Sequence, residues 1–171
     1  ELSRFVAGAE QTDDITLLCV RLNGLCCRLG DKKKNERMLV LDNRLEEVSR
    51  LQPFVEEIGE ALSLPAKQTF SLNLALEEAL VNAISYAYPE GEKGRVTLKA
   101  SWDDEPAAIE FELTDGGKMF NPLMVRKPDL TQDVENRQVG GLGVFLTRSL
   151  MDDVAYERRD GQNHLLMTKN I

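Results

Sequence analysis

Glu78 and Asn82 are the residues of this chain whose types and spacing point most directly to chemistry. They stand four apart in a segment where Phe70, Leu74, Ala75, Ala79, Val81, Ala83 and Ile84 leave little polar surface, so on a helix they project side by side from one face. A carboxylate and a carboxamide on such a helix are costly without partners, and a bound cation with its waters satisfies both. Asn82 can ligate magnesium through its amide oxygen while Glu78 orients and deprotonates an attacking hydroxyl or water. The alternative is a polar pair bonded to a neighbouring loop. Glu77, beside them, falls on another face.

Two further clusters follow. Asp115-Gly116-Gly117 ends a predicted strand. It reads either as a tight turn or as a site where the carboxylate accepts a hydrogen bond from an exocyclic amino group while Gly117 lets a flat ring such as adenine approach the backbone. Gly140-Gly141-Leu142-Gly143 directly precedes a predicted helix, where free N–H groups and the dipole suit phosphate. Such glycines also serve as a hinge or a close-packing site. Arg137, just upstream, is either a charge-assisted phosphate contact or a solvated surface charge.

The elements that must position these residues read as follows. Arg37 to Leu41 is a strand, and Asp42 or Asn43 can cap the next helix, whose stripe is Leu45, Val48, Leu51, Val55, Ile58 and Leu62, with Pro53 placed to kink it. Pro65 opens a second, buried helix through about Ala87. Arg95 to Trp102 and Ala108 to Thr114 alternate as hairpin strands. Phe120 to Val139 lapses into a long loop, Leu142 to Met151 is a helix, and Val154 to Arg158 and His164 to Thr168 are strands joined by the hairpin signal Asp160-Gly161. This order gives an α+β class: a two-layer sandwich with helices on one face of a mixed, mostly antiparallel sheet.

Composition excludes several classes. At 171 residues, 42% hydrophobic and 29% charged, the chain has the makings of an ordinary folded domain with some length to spare. A net charge of −8, spread along the sequence, opposes a nucleic-acid partner. No apolar run approaches the roughly 20 residues needed to cross a bilayer, and no signal-peptide pattern begins at Glu1, so no membrane partner and a cytoplasmic location are expected. Cys19, Cys26 and Cys27 match neither a zinc spacing nor a disulfide framework. They read as reduced thiols, with a redox role for the vicinal pair as the alternative.

Taken together, Glu78-Ala79-Leu80-Val81-Asn82-Ala83, Asp115-Gly116-Gly117-Lys118-Met119-Phe120-Asn121-Pro122 and Gly140-Gly141-Leu142-Gly143 resemble the three nucleotide boxes of the GHKL superfamily. Within it the chain is most similar to the anti-sigma serine kinases of bacterial partner switching, over Glu36 to Ile171, including Leu150-Met151-Asp152-Asp153-Val154. The resemblance implies the Bergerat ATP-binding fold, with ATP and magnesium as cofactors and a serine or threonine of an anti-sigma-factor antagonist as substrate. A sigma factor and a second copy of the chain are further implied partners. Glu78 would be the general base and Asn82 the magnesium ligand through ATP. Asp115 would contact adenine, with Gly117, Phe120, Arg137, Gly140, Gly141, Leu142 and Gly143 around the nucleotide and the Phe120 to Val139 loop as a lid. Three departures stand out: Tyr86 replaces a frequent histidine, Met119 a frequent glycine, and Asn163 or His164 lies near a position often held by threonine. A histidine kinase would need a phosphoacceptor histidine on a helix, and the single histidine, His164, is on a predicted strand. The alternative function is a regulatory module that holds nucleotide and sequesters a partner, or regulates a fused phosphatase, without phosphoryl transfer.

Ile15 to Leu22 reads as a strand with no nearby pairing partner, followed by the turn Asn23-Gly24 and a lysine-rich stretch. Residues 1–22 are therefore expected to be the end of a preceding domain, 23–35 a linker and 36–171 the ATP-binding domain. Gln11-Thr12-Asp13-Asp14-Ile15-Thr16 resembles the closing motif of metal-dependent serine phosphatases, or is a turn entering a strand. By that resemblance Asp13 would be a metal ligand in a complete domain, and the piece present here would bind no metal and have no phosphatase activity.

Overall fold

A computed structural model describes residues 34–89, 91–124 and 142–171. The strand at Ile15 to Leu22, the cysteines, Arg137, Gly140, Gly141 and most of the expected lid lie outside the described residues. The chain runs β1 (Lys34–Asp42), a 3-10 helix (Leu45–Arg50), α1 (Leu51–Ala61), α2 (Ala66–Tyr86), β2 (Arg95–Asp103), β3 (Ala108–Asp115), a 3-10 turn (Pro122–Met124), α3 (Leu142–Leu150), β4 (Asp153–Arg159) and β5 (Gln162–Asn170).

Among the described residues five strands order as β1-β2-β3-β5-β4 with every pairing antiparallel, within the α+β architecture of a mostly antiparallel sheet that was expected. Antiparallel strands need only hairpins or helical excursions between neighbours. Strand ends extend beyond the apolar runs because the ladders continue: β1 pairs with β2 from Lys34↔Asp103 to Asp42↔Arg95. Asp160 and Gly161 both take positive φ, 52° and 79°, as the tight hairpin turn between β4 and β5 requires.

One sheet face packs against the helices. Leu39 and Leu41, Val96 and Leu98, Ile109, Phe111 and Leu113, and Leu165 and Met167 alternate inward to meet Leu51, Val55, Ile58, Leu72, Leu76 and Leu80. Each fully buried aliphatic side chain in that layer contributes about 1.5–3 kcal/mol. Period two then carries the same inward phase past Leu113 to Asp115, and on β5 back from Leu165 to Asn163. Core register thus delivers two polar side chains to one end of the helix layer.

Three local expectations need correction. Neither Asp42 nor Asn43 caps a helix: the first turns are 3-10, with Arg44 at the N-cap and no side-chain cap. Asn43 instead accepts from the Gly94 N–H at 2.9 Å and donates to the Glu92 carbonyl at 2.7 Å, fastening the end of β1 to the entry of β2. Pro53 falls in the first turn of α1, just after the 3-10 segment Leu45–Arg50 gives way to the α-helix, so the expected single helix is two joined pieces. Finally, α2 is buried along one stripe only (Leu72, Ala75, Leu76, Ala79, Leu80, Ile84), and Phe70 is 69% exposed.

After α3, the Asp152 carboxylate accepts from the Asn170 N–H at 2.8 Å and pairs with Lys169 at 3.1 Å. The backbone hydrogen bond first, and the lysine second, hold its carboxyl below the usual carboxylate range. A depressed folded value means the contribution is present at neutral pH and is lost as pH falls through that value. In thermal melts, Asp152→Asn therefore flattens the acid limb below about pH 4, by a small amount because the pair is exposed.

Candidate nucleotide site

α2 supplies the base of the site. Glu78 and Asn82 project one turn apart, both half-buried, and neither forms a hydrogen bond or ion pair among the described residues. Glu77 is exposed on another face and accepts from Asn73. The first turn of α3 closes over the pair: a Cβ added to Gly143 would come closer than 3.0 Å to Glu78 Oε2 and to 3.2 Å from Asn82 Nδ2. Only a glycine leaves both side chains undisturbed at this helix start. Thr147, one turn further, has its hydroxyl 3.1 Å from both the Ala75 and Gly143 carbonyls and ties α3 to α2.

Asp115 lies at the end of β3, 7% exposed. Its Oδ1 accepts from the Gly117 N–H at 2.9 Å and from Asn163 Nδ2 at 2.8 Å, while Oδ2 accepts nothing among the described residues. The turn after it is packed on the C-terminal end of α2. Lys118 N–H donates to the Ala87 carbonyl at 2.8 Å, and a Cβ on Gly117 would collide with that same carbonyl. The close approach that Gly117 permits is therefore to the helix backbone, where a flat ring was expected. Tyr88 buttresses the turn from the other side, donating its hydroxyl proton to the Arg95 carbonyl at 2.7 Å and accepting from the Gly116 N–H at 3.0 Å.

Between these parts is a narrow cleft open to solvent, lined among others by Asn82, Asp115, Phe120, Thr147, Tyr156 and Asn163. Its walls are mainly apolar, with small residues Ala79, Ala83 and Ala87 along α2 giving it room. An apolar slot with a few directed polar atoms is the usual character of a small-molecule or cofactor site. Phe120 stands at its edge, its ring 6.4 Å from that of Tyr86. Of the residues singled out from sequence, Asn82, Asp115 and Phe120 meet in this cavity, Gly117 is joined to it through Asp115, and Glu78 lies beside it against Gly143.

Sequence reasoning left Asn163 and His164 as alternatives, and the sheet separates them. Asn163 faces the cavity opposite Asp115, whereas His164 faces away, 2.8 Å from Glu112. Tyr156, Arg158 and Arg148 were missed. Tyr156 and Arg158 share the inward phase of β4, and their contacts to Asn163, at 2.8 Å each, follow from the pairing of β4 with β5. The alternation of Val154, Tyr156 and Arg158 could have marked them.

Residues 41–169 match the family model described as the histidine kinase-like ATPase domain. The chain is 31% identical over 105 residues to the serine/threonine-protein kinase BtrW of Bordetella bronchiseptica, an alignment covering 61% of this chain and 72% of that protein. It is 34% identical over 106 residues to the serine-protein kinase RsbW of Listeria monocytogenes, covering 58% and 64%. Among solved structures, the RsbU and RsbW domains of a Mycobacterium tuberculosis protein match with a TM-score of 0.56 at 12% identity, over 80% of this chain and 32% of that one, a likeness of fold alone. Among the described residues, no helix is long and apolar enough to cross a membrane.

Proposed function

The chain belongs to the histidine kinase-like ATPase domain family, and from that premise we propose that it is an ATP-dependent protein kinase acting on a serine or threonine of an anti-sigma-factor antagonist in a partner-switching pathway. Its relatives named as serine or threonine kinases support the activity class. The observation that carries the reading is the Asp115 carboxylate, fixed through one oxygen and with the other free among the described residues, in the same apolar cavity as Asn82.

In this mechanism Asp115 Oδ2 accepts an N–H of the adenine amino group, and Phe120 closes the ring slot. The start of α3 at Leu142 and Gly143 offers N–H groups to the phosphates, and Gly140, Gly141 and Arg137, outside the described residues, are proposed from sequence alone as further phosphate contacts. The donor set fits magnesium delivered with the nucleotide. Asn82 offers an amide oxygen with no partner among the described residues, where no group of three or more His, Cys, Asp or Glu makes an all-protein cage. When bound, that ion neutralises charge on the phosphoryl oxygens. Glu78 takes the proton from the attacking serine or threonine hydroxyl as its oxygen bonds to phosphorus, and the phosphorus–oxygen bond to ADP breaks.

Calorimetry with magnesium and ATP tests the binding half. Asp115→Asn is expected to weaken binding about tenfold or more, because a charged acceptor is replaced by a neutral amide oxygen, a weaker acceptor. Unchanged affinity would remove Asp115 from the adenine role. Mass spectrometry of a cognate antagonist incubated with ATP tests the transfer half, with a phosphate gain expected. Tight ATP binding without transfer would favour the second reading, a module that sequesters a partner. For residues 1–22, the proposal of a phosphatase-domain ending rests on Gln11 to Thr16, and restoring the upstream domain should add phosphatase activity dependent on Asp13.

A further inference from the structure

We infer that Asn163 is the positioning residue that sets the nucleobase preference of this site, by locking Asp115 so that one carboxylate oxygen is presented to an exocyclic amino group. This rests on the adenine reading above and names a determinant that reading does not contain. The amide of Asn163 is saturated. Its Oδ1 receives Tyr156 Oη and Arg158 Nη1 at 2.8 Å each and the Phe120 N–H at 3.5 Å. Its Nδ2 donates to Asp115 Oδ1 at 2.8 Å and to the Lys118 carbonyl at 2.9 Å. The assignment of the two amide atoms is fixed by these partners: exchanging them would set NH₂ against a guanidinium and a carbonyl oxygen against a carboxylate.

Geometry makes the side chain a junction of three segments. Asn163 is 5% exposed and pairs across the sheet with Asp115. Through Nδ2 it occupies Oδ1, and with the Gly117 N–H it fills the acceptor sites on that side of the carboxylate, so the remaining oxygen is held in one orientation. Arg158 also donates to the Gly117 carbonyl at 2.9 Å, and the 117–120 segment is gripped at Gly117, Lys118 and Phe120 by the same cluster. A carboxylate free to rotate would accept equally from several donors and select poorly. One held on two N–H donors offers a single directed acceptor, which favours a purine bearing an amino group over one that lacks it.

The test is a ratio of affinities. Magnesium-dependent binding of ATP and of purine riboside 5′-triphosphate, which carries hydrogen in place of the amino group, is measured by calorimetry. Wild type should prefer ATP about tenfold or more. Asn163→Ala should bring the ratio to within about threefold of unity, and Asp115→Ala should do the same with no additional loss in the double variant. Asn163→Leu, close in size to asparagine but with no N–H to donate to Asp115, serves if the alanine variant fails to fold, with the same loss of preference expected. Asn163→Thr should retain much of the preference, since a hydroxyl can still donate to Asp115. A residue that only supports the fold would weaken both ligands alike and leave the ratio unchanged. An unchanged ratio in folded Asn163→Ala or Asn163→Leu overturns the inference, whereas a wild-type ratio near unity, or no ATP binding, overturns the adenine reading itself.

Discussion

Glu78→Gln should lower phosphoryl transfer to the antagonist by about 10²- to 10⁴-fold, the usual worth of a positioned general base. The ATP dissociation constant should change by less than about threefold. Glutamine matches the shape of glutamate and keeps the packing against Gly143, so the folded structure has no reason to change. It removes only the ability to take a proton. Asn82→Ala separates the second role. Asn82 lines the cavity, and losing a magnesium ligand should weaken magnesium-dependent nucleotide binding together with transfer, because the ion bridges protein and phosphates. Single-turnover transfer with saturating ATP, beside calorimetry with and without magnesium, reads both effects. Transfer by Glu78→Gln at the wild-type rate would sink the general-base assignment and require a different proton acceptor.

Much of the architecture was legible because it follows from local periodicity. Alternation along Ile109, Phe111 and Leu113 gives the strand and its inward face, and extending that phase by two residues already aims Asp115 at the helix layer. Spacing by four puts Glu78 and Asn82 together without knowledge of anything else. The interpretation of these positions as a nucleotide site came from the resemblance of three separate boxes, since each cluster alone also fits a turn, a hinge or a polar pair.

What was not legible depends on contacts between segments far apart in sequence. Asp115 and Asn163 are 48 residues apart, and their hydrogen bond exists only because β5 inserts between β3 and β4 in one register. Nothing local distinguishes Asn163 from His164 until that register is known, because a slip of one residue exchanges their faces. Asn43 misled for a related reason. Its side chain satisfies the same kind of backbone groups as a helix cap does, but they belong to Glu92 and Gly94 across the sheet. The packing of Gly117 on the Ala87 carbonyl likewise depends on a contact that no local signal reveals.

Gly143→Ala should separate activity from stability most sharply. The added methyl would come closer than 3.0 Å to Glu78 Oε2, the far end of a flexible side chain, and 3.2 Å from Asn82 Nδ2. Neither neighbour is backbone, so rotation of the glutamate relieves the clash at little cost. Alanine also favours a helix over glycine by up to about 1 kcal/mol, which should leave the melting temperature level or slightly raised. Transfer depends on where the Glu78 carboxylate sits, and a displacement of about 1 Å is enough to cost on the order of 10²-fold. The expected outcome is a stably folded variant, with ATP affinity lowered modestly through Asn82 and transfer reduced to a residue. Adding Glu78→Gln to Gly143→Ala should then cost far less than it does in the wild type, since a carboxylate already turned away has little left to lose. Additive losses in that double variant would mean that Gly143 acts on the nucleotide independently of Glu78. Transfer by Gly143→Ala at the wild-type rate would mean that the carboxylate does not work from the position it occupies against α3.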